Sequence, residues 1–199
     1  MHPSPAFRSA DHALMRALID EIGFGMVFAA TPDGPRVAHV PLLRAGDGAL
    51  RFHLARGNAL TRYLDGATAL AVINGPDGYV SPRWYGDDAN QVPTWNYLAL
   101  EMEGRVRRTD REGLLDQLDA LSAREEARLP DPAWTMGKAS PDYVEKLLAG
   151  IVGFELEVLA WRPTWKLSQN KSAQQRAAVA AGLEAQGAHA IAAVMRGMA

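Results

Sequence analysis

The chain has 199 residues, of which 48% are apolar and 22% are charged, and its formal net charge is −2. A chain of this length buries enough apolar surface to fold as one domain without a disulfide or a metal. Cysteine is absent, which excludes disulfides, thiol catalysis and thiolate zinc sites. The slightly acidic charge does not favour nucleic-acid binding, because proteins with that function usually carry a basic excess.

The N-terminal stretch, residues 1–23, has neither the basic start nor the apolar centre of a signal peptide. No apolar run in the sequence approaches the roughly 20 residues that span a bilayer. We therefore expect a cytoplasmic protein with no membrane partner.

The first half of the chain reads mainly as strands joined by tight turns. In order, the sequence predicts a helix at 9–21 capped by Ser9, strands at 25–31, 36–43 and 49–55, a short helix at 58–66, a strand at 67–75 and a strand within 92–108. Because tight turns force antiparallel pairing, the strands should form one antiparallel sheet.

The second half alternates helices with one more strand. The sequence predicts a helix at 111–129, a loop at 130–140, a short helix at 142–149, a strand at 151–168 interrupted near Pro163, and alanine-rich helices at 172–187 and 188–198. Six or seven antiparallel strands with helices outside favour a small closed or nearly closed barrel, which removes exposed edges. The predicted class is mostly β with α.

The end of the third predicted strand has the features of an anion site. Arg56, Gly57 and Asn58 lead directly into the short predicted helix at 58–66. Free N–H groups at a helix start, a glycine that permits close approach and an arginine together suit a phosphate. The alternative is an ordinary capped helix with a solvated arginine.

Motifs for metal binding and catalysis are missing. The sequence contains no HExxH, GxSxG, GxGxxG or Walker pattern. His39 and His53 lie on adjacent predicted strands and are neighbours across the sheet in this interpretation, but half-buried strand histidines are more common than ligands. We therefore predict no metal site, and no catalytic residue is identified.

Two strand-end segments, VPTWNY at 92–97 and KLSQNKS at 166–172, combine aromatic, amide and cationic side chains. Rings stack on a flat heteroaromatic ligand while amides bind its edge, so both segments suit such a ligand. The alternatives are an aromatic dimer seam without a ligand for the first segment, and a helix cap at Ser168 or Asn170 for the second.

The motifs HVPLL, FHLARGN, INGPDGYVSPRWY, VPTWNY, SPDYVEKLLAGIVGFELEV and KLSQNKS, taken in this order, resemble the PaiB-type family. Its members are described as negative transcriptional regulators with an FMN-binding domain. The family is similar to the split-barrel flavoproteins, which include pyridoxamine-phosphate oxidases and flavin reductases. The resemblance implies a six- to seven-stranded antiparallel split β-barrel at 1–170, a helical extension at 171–199 packed on the barrel or the dimer, and FMN at a homodimer interface.

The resemblance also implies roles for particular residues. It places the flavin phosphate at Arg56 and Asn58, and the ring or ribityl chain at His39, Val40, Pro41, His53 and Leu54. Thr94, Trp95, Asn96 and Tyr97 would come from the partner subunit or the mouth of the site, and Lys166, Gln169 and Asn170 would close the pocket.

The chain departs from the split-barrel oxidases in one respect, because only one basic residue lies near the expected phosphate. Because a related split-barrel branch degrades haem, the resemblance implies haem as the alternative ligand, with His39 or His53 as its axial ligand. The function predicted from the sequence is a flavin-dependent oxidoreductase or sensor. Its alternatives are a regulator that binds DNA through residues 174–198 and a dimeric interaction module without a ligand.

Overall fold

The computed structural model describes residues 3–86, 90–130 and 132–197. The strands are β1 (Phe24–Thr31), β2 (Gly34–Pro41), β3 (Leu43–Arg44), β4 (Leu50–Ala55), β5 (Thr68–Val80), β6 (Thr94–Arg108) and β7 (Ile151–Lys166). The helices are α1 (His12–Ile22), α2 (Arg111–Glu126), α3 (Pro141–Leu148), α4 (Ala173–Ala185) and α5 (His189–Arg196). None of the helices in the described part of the chain is both long and apolar enough to cross a membrane.

The strands form one seven-stranded sheet in the order β2-β1-β5-β6-β7-β4-β3. The two strands at the ends of this order, β2 and β3, are joined by Leu42 alone. Strands linked by one residue lie close together, so the sheet must curl until its edges approach each other, as in a barrel. The predicted antiparallel barrel with flanking helices is confirmed.

The chain folds into two compact units, one of residues 16–73 and 102–161 and the other of residues 1–15, 74–101 and 162–199. In the first, termed the barrel unit, the rings of Phe52 and Phe154 stack with centroids 5.6 Å apart, and both are fully buried. In the second, termed the helical unit, Gly182 on α4 lies so close to the Trp84 indole that a Cβ there would collide with the ring.

The structure corrects the predicted helix at 58–66. The segment forms isolated turns, with the Thr61 N–H donating to the Asn58 carbonyl and the Tyr63 N–H donating to the Leu60 carbonyl. The Asn58 side chain accepts the Leu60 N–H, and the Thr61 hydroxyl donates to the Ala55 carbonyl. Such local side-chain bonds compete with a helix, so the polar residue interpreted as a helix cap does not begin one here.

Other boundaries also differ from the predictions. The strand within 151–168 is not interrupted, because β7 runs through Pro163, whose extended backbone is compatible with a strand. The cap of α1 is Asp11, whose carboxylate accepts the N–H groups of Ala13 and Leu14, and not Ser9. Ser172 caps α4 through a reciprocal capping box with Gln175, in place of Ser168 or Asn170.

Candidate functional site

Three arginines of the barrel unit line one cavity of about 480 Å³, termed here the arginine pocket. Arg56 follows the end of β4, Arg108 is the last residue of β6, and Arg111 is the first residue of α2. The apolar part of the lining includes Leu114, Leu148, Ile151 and Val152. Small-molecule sites commonly occupy roughly 300–1,000 Å³ and combine apolar walls with a few polar groups, and this cavity has both features.

Arg56 is held by the turn between α3 and β7. Its Nε donates to the Ala149 carbonyl at 2.9 Å, its Nη2 donates to the Ile151 carbonyl at 3.4 Å, and its backbone N–H donates to the Gly150 carbonyl. These bonds fix the guanidinium and leave its Nη1 group available to a ligand. Because residues 58–66 form no helix, the group that could bind an anion here is the guanidinium and not a helix N-terminus.

The other two arginines differ in their partners. Arg111 pairs with Glu145 on α3. The Arg108 guanidinium has no hydrogen-bond partner within the described ranges, although its backbone N–H donates to Asp65. The pocket lining contains three arginines and two acids, Asp110 and Glu145, so its formal charge is 3 − 2 = +1.

Thr109 and Gly153 also line this pocket. The Thr109 hydroxyl is buried and has no hydrogen-bond partner among the described residues. A Cβ at position 153 would collide with that hydroxyl, so glycine is required where β7 passes Thr109. A buried hydroxyl without a partner is a group that a polar ligand atom can satisfy.

His53, on β4, is half-buried, and its Nδ1 lies 3.4 Å from Nε2 of the buried Gln117. Burial lowers the pKa of the imidazole, because removal from water disfavours the charged form. His39 is exposed on β2, and no hydrogen bond joins these two described histidines. Val40 and Leu54 are core residues, with 2% and 4% of their surface exposed.

A second cavity, of about 350 Å³, lies in the helical unit and is termed here the lysine cavity. Its lining residues are Ser4, Phe7, Tyr85, Gln91, Val92, Thr94, Asn96, Lys166, Ser168, Asn170 and Lys171. The structure thus brings together Thr94, Asn96, Lys166 and Asn170, which the sequence placed in two separate segments.

Neutral groups hold both ammonium groups of this cavity. Lys166 Nζ donates to the Thr94 hydroxyl and, at 2.8 Å, to the Trp95 carbonyl. Removal of this ammonium from water lowers its pKa. Lys171 Nζ donates to Gln91 Oε1 at 2.6 Å and lies 4.9 Å from the centroid of the Tyr85 ring.

A buried polar pair forms the floor of the cavity. Asn96 is fully buried, and its Nδ2 donates to Ser168 Oγ at 2.9 Å and to Met195 Sδ at 3.3 Å. Ser168 has a φ of 62°, the only positive φ among the described residues other than glycine. Gln169 is held locally, because its Oε1 accepts the Leu167 N–H and its Nε2 donates to the Trp165 carbonyl. Strained backbone of this kind often accompanies functional sites.

Trp95 and Tyr97 lie on the opposite face of β6 from Thr94 and Asn96, because side chains alternate along a strand. They line a separate groove of about 290 Å³ in the helical unit. Trp95 is 54% exposed and meets Tyr79 edge to face, with ring centroids 6.2 Å apart. The structure therefore separates the PTWNY side chains onto two surfaces.

The residues that sequence reasoning missed come from distant parts of the chain. In the arginine pocket they are Arg108, Thr109 and Arg111, and in the lysine cavity they are Tyr85 and Gln91. Ser168 and Lys171 lie within the predicted segment KLSQNKS but were given no individual ligand role. The RVRR run at 105–108 was a signal for the first group, because it placed basic residues at a strand end.

Residues 1–160 match the family model described as "Putative FMN-binding domain". The chain belongs to this family. It is 31% identical to protease synthase and sporulation protein PAI 2 of Bacillus subtilis over 159 residues, which cover 77% of this chain and 75% of that protein. The PaiB-type resemblance predicted from the motifs is thereby confirmed, with FMN as the ligand by which the family is described.

Solved structures show the same fold. The FAD and heme binding protein from Mycobacterium smegmatis superposes with a TM-score of 0.63 at 22% identity, covering 88% of this chain and 80% of that one. The flavocytochrome Anf3 from Azotobacter vinelandii gives a TM-score of 0.60 at 17% identity, covering 83% and 72%. At these identities the likeness establishes the split-barrel fold.

Proposed function

We propose that this protein binds FMN and that the arginine pocket receives the flavin phosphate. The observation that carries the proposal is the meeting of Arg56 and Arg108 at one cavity in a chain of an FMN-binding family. Arginine presents a planar array of donors that matches phosphate oxygens. Two further features support the fit of a flavin to this pocket. They are the Thr109 hydroxyl, which has no hydrogen-bond partner among the described residues, and the apolar wall around Leu114.

Each polar group of the pocket has a separate task in this proposal. Arg56, fixed by two carbonyls, would bind phosphate through Nη1, and Arg108 would supply a second guanidinium that no described group occupies. Arg111 would remain with Glu145 and hold α3 beside the pocket. Bound flavin supplies one- or two-electron redox chemistry, while the protein residues bind and orient it.

The test compares FMN with riboflavin, which has the same ring but no phosphate. Titration of flavin fluorescence should show saturable FMN binding at about one per chain, with riboflavin bound more weakly. Since charge-assisted contacts contribute roughly 1.5–3 kcal/mol, Arg56→Met and Arg108→Met should each weaken FMN by about tenfold or more and leave riboflavin unchanged. Arg62→Met, which removes an exposed arginine from the segment after Arg56, is the matched control.

Two results would overturn the proposal. One is an FMN-to-riboflavin affinity ratio that stays the same in both pocket variants. The other is the absence of FMN binding together with saturable haemin binding, which would direct attention to His39 and His53.

We further propose a homodimer that associates through the exposed aromatic residues of β5 and β6. Tyr79 and Trp95 are 39% and 54% exposed, and aromatic residues are enriched at protein interfaces. Sedimentation velocity should show a dimer that Trp95→Ala weakens. A Trp95→Ala protein that sediments like the wild type at every concentration would exclude this surface.

The helices α4 and α5 support a packing role more than DNA recognition. They bury Val179, Leu183 and Ile191. Their two arginines are engaged within the chain, because Arg176 donates to the Lys171 carbonyl and Arg196 pairs with Glu184. A recognition helix needs polar side chains free to reach bases. A role in regulation and a cytoplasmic location stay predictions.

A further inference from the structure

We propose that the lysine cavity is a second anion site, separate from the flavin site, which binds the phosphate group of a small organic phosphate monoester. The proposal rests on the composition of the cavity. Its eleven described lining residues include two lysines and no aspartate or glutamate. Its formal charge is therefore +2, against +1 for the arginine pocket.

The two ammonium groups are only partly satisfied by the protein. Each can donate three hydrogen bonds, yet Lys166 has two described acceptors, both neutral, and Lys171 has one acceptor and an aromatic ring. The two ammonium groups line one cavity and repel each other, and their neutral acceptors do not cancel that repulsion. An anion would relieve the repulsion and accept the remaining N–H groups.

Other donors line the same space. The Thr94 hydroxyl accepts from Lys166, so its own proton is available to a ligand. Tyr85 and Asn170 have no side-chain hydrogen bond in the ranges that the structure describes. Donors spread over five side chains suit an oxyanion with three terminal oxygens better than a carboxylate with two. This spread favours a phosphate.

The remaining walls indicate an organic ligand. Phe7 and Tyr85 are largely buried at 5% and 6% exposure and line the cavity beside the lysines. The volume of about 350 Å³ exceeds what inorganic phosphate alone would fill. Ser168, bonded to Asn96 and with a left-handed backbone, lies midway in the chain between Lys166 and Asn170, which also line the cavity.

The probe is phenyl phosphate, titrated calorimetrically into the flavin-free full-length protein at low salt. We expect a saturable site that Arg56→Met retains, because the arginine pocket can also bind a phosphate, and weaker binding of benzoate. Lys166→Met and Lys171→Met should each weaken phenyl phosphate by about tenfold or more. Lys138→Met changes the net charge equally and removes a lysine that donates to the Ala133 carbonyl outside the cavity, so it should bind like the wild type.

A fold check accompanies the variants, because Lys166→Met also removes two hydrogen bonds. Lys171→Met carries the test if thermal unfolding shows that Lys166→Met is not folded. FMN titrations with and without phenyl phosphate, in the wild type and in Lys171→Met, then separate the two sites. Phenyl phosphate can compete with FMN only at the arginine pocket, so we expect the same competition in both proteins.

Three outcomes would overturn the inference: no saturable binding of phenyl phosphate, equal binding by the lysine variants and the wild type, or competition between phenyl phosphate and FMN that Lys171→Met abolishes. Such competition would mean that the lysine cavity holds the flavin phosphate itself. Failure of FMN to bind anywhere would refute only the flavin proposal, because the phenyl phosphate titration uses flavin-free protein.

Discussion

Replacement of Asn96 by alanine should destabilise the protein strongly, although Trp95 beside it is exposed. The change removes the bonds from Nδ2 to Ser168 Oγ and to Met195 Sδ and leaves the Ser168 hydroxyl, in a residue only 4% exposed, without a partner. A lost hydrogen bond costs about 1 kcal/mol, and a stranded buried hydroxyl costs about 1–3 kcal/mol more. We therefore expect the free energy of unfolding to fall by about 2–4 kcal/mol.

A double-mutant cycle isolates the pair. Ser168→Ala leaves the Asn96 amide with its bond to Met195 Sδ alone, and the double variant removes both partners. The loss in the double variant should therefore be about 1–3 kcal/mol smaller than the sum of the single losses. Urea unfolding followed by tryptophan fluorescence and by far-ultraviolet circular dichroism supplies the free energies, provided that the two transitions coincide.

The control is Trp95→Ala, because Trp95 lies next to Asn96 in the chain and is 54% exposed. Both variants are measured at a protein concentration low enough for any dimer to have dissociated. It should cost about 1 kcal/mol or less, which is typical of an exposed edge-to-face ring contact. The reasoning fails if the Asn96 and Ser168 losses add within about 0.5 kcal/mol, or if Trp95→Ala destabilises the protein as much as Asn96→Ala.

Three further predictions concern the barrel unit. Gly104→Ala should cost at least about 1–3 kcal/mol in urea unfolding, because its Cβ would collide with the Glu157 carbonyl, whereas Gly46→Ala, with open space around it, should change little. Glu155→Gln should cost about 1.5–3 kcal/mol by the same measurement, since this buried carboxylate accepts bonds from two arginines. Burial lowers the pKa of His53 below its ordinary value of 6.5, so on acidification the unfolded chain binds a proton before the folded chain does. The free energy of unfolding should therefore fall as the pH drops below about 6.5. His53→Asn should remove that part of the pH dependence.

Much of the sheet could be predicted because strand signals are local. The alternation of Leu50, Phe52 and Leu54 with polar residues predicted a strand that is indeed β4, and its three apolar side chains are buried. The segment after it was predicted wrongly, because the polar residue at its start, Asn58, was interpreted as a helix cap. Asn58 and Thr61 instead form local bonds that turn the backbone without starting a helix.

The candidate sites were predictable only in part, for a related reason. Arg56 was found because glycine and asparagine beside it form a local motif. Arg108 and Arg111 line the same pocket because the order of strands in the sheet brings the ends of distant segments together. No sequence pattern near Arg56 encodes that order. The lysine cavity likewise depends on contacts between distant segments, since Lys171 donates to Gln91, which lies 80 residues earlier in the chain.

The dense run of functional side chains at the start of β6 has a physical explanation in strand geometry. Successive side chains point to opposite faces, so Thr94 and Asn96 line the lysine cavity while Trp95 and Tyr97 line the exposed groove. One pentapeptide thus contributes to two surfaces with different chemistry. A shift of one residue in the register of β6 would bury an indole where Asn96 meets Ser168 and expose the amide. The buried Asn96–Ser168 bond therefore fixes the register on which both surfaces depend.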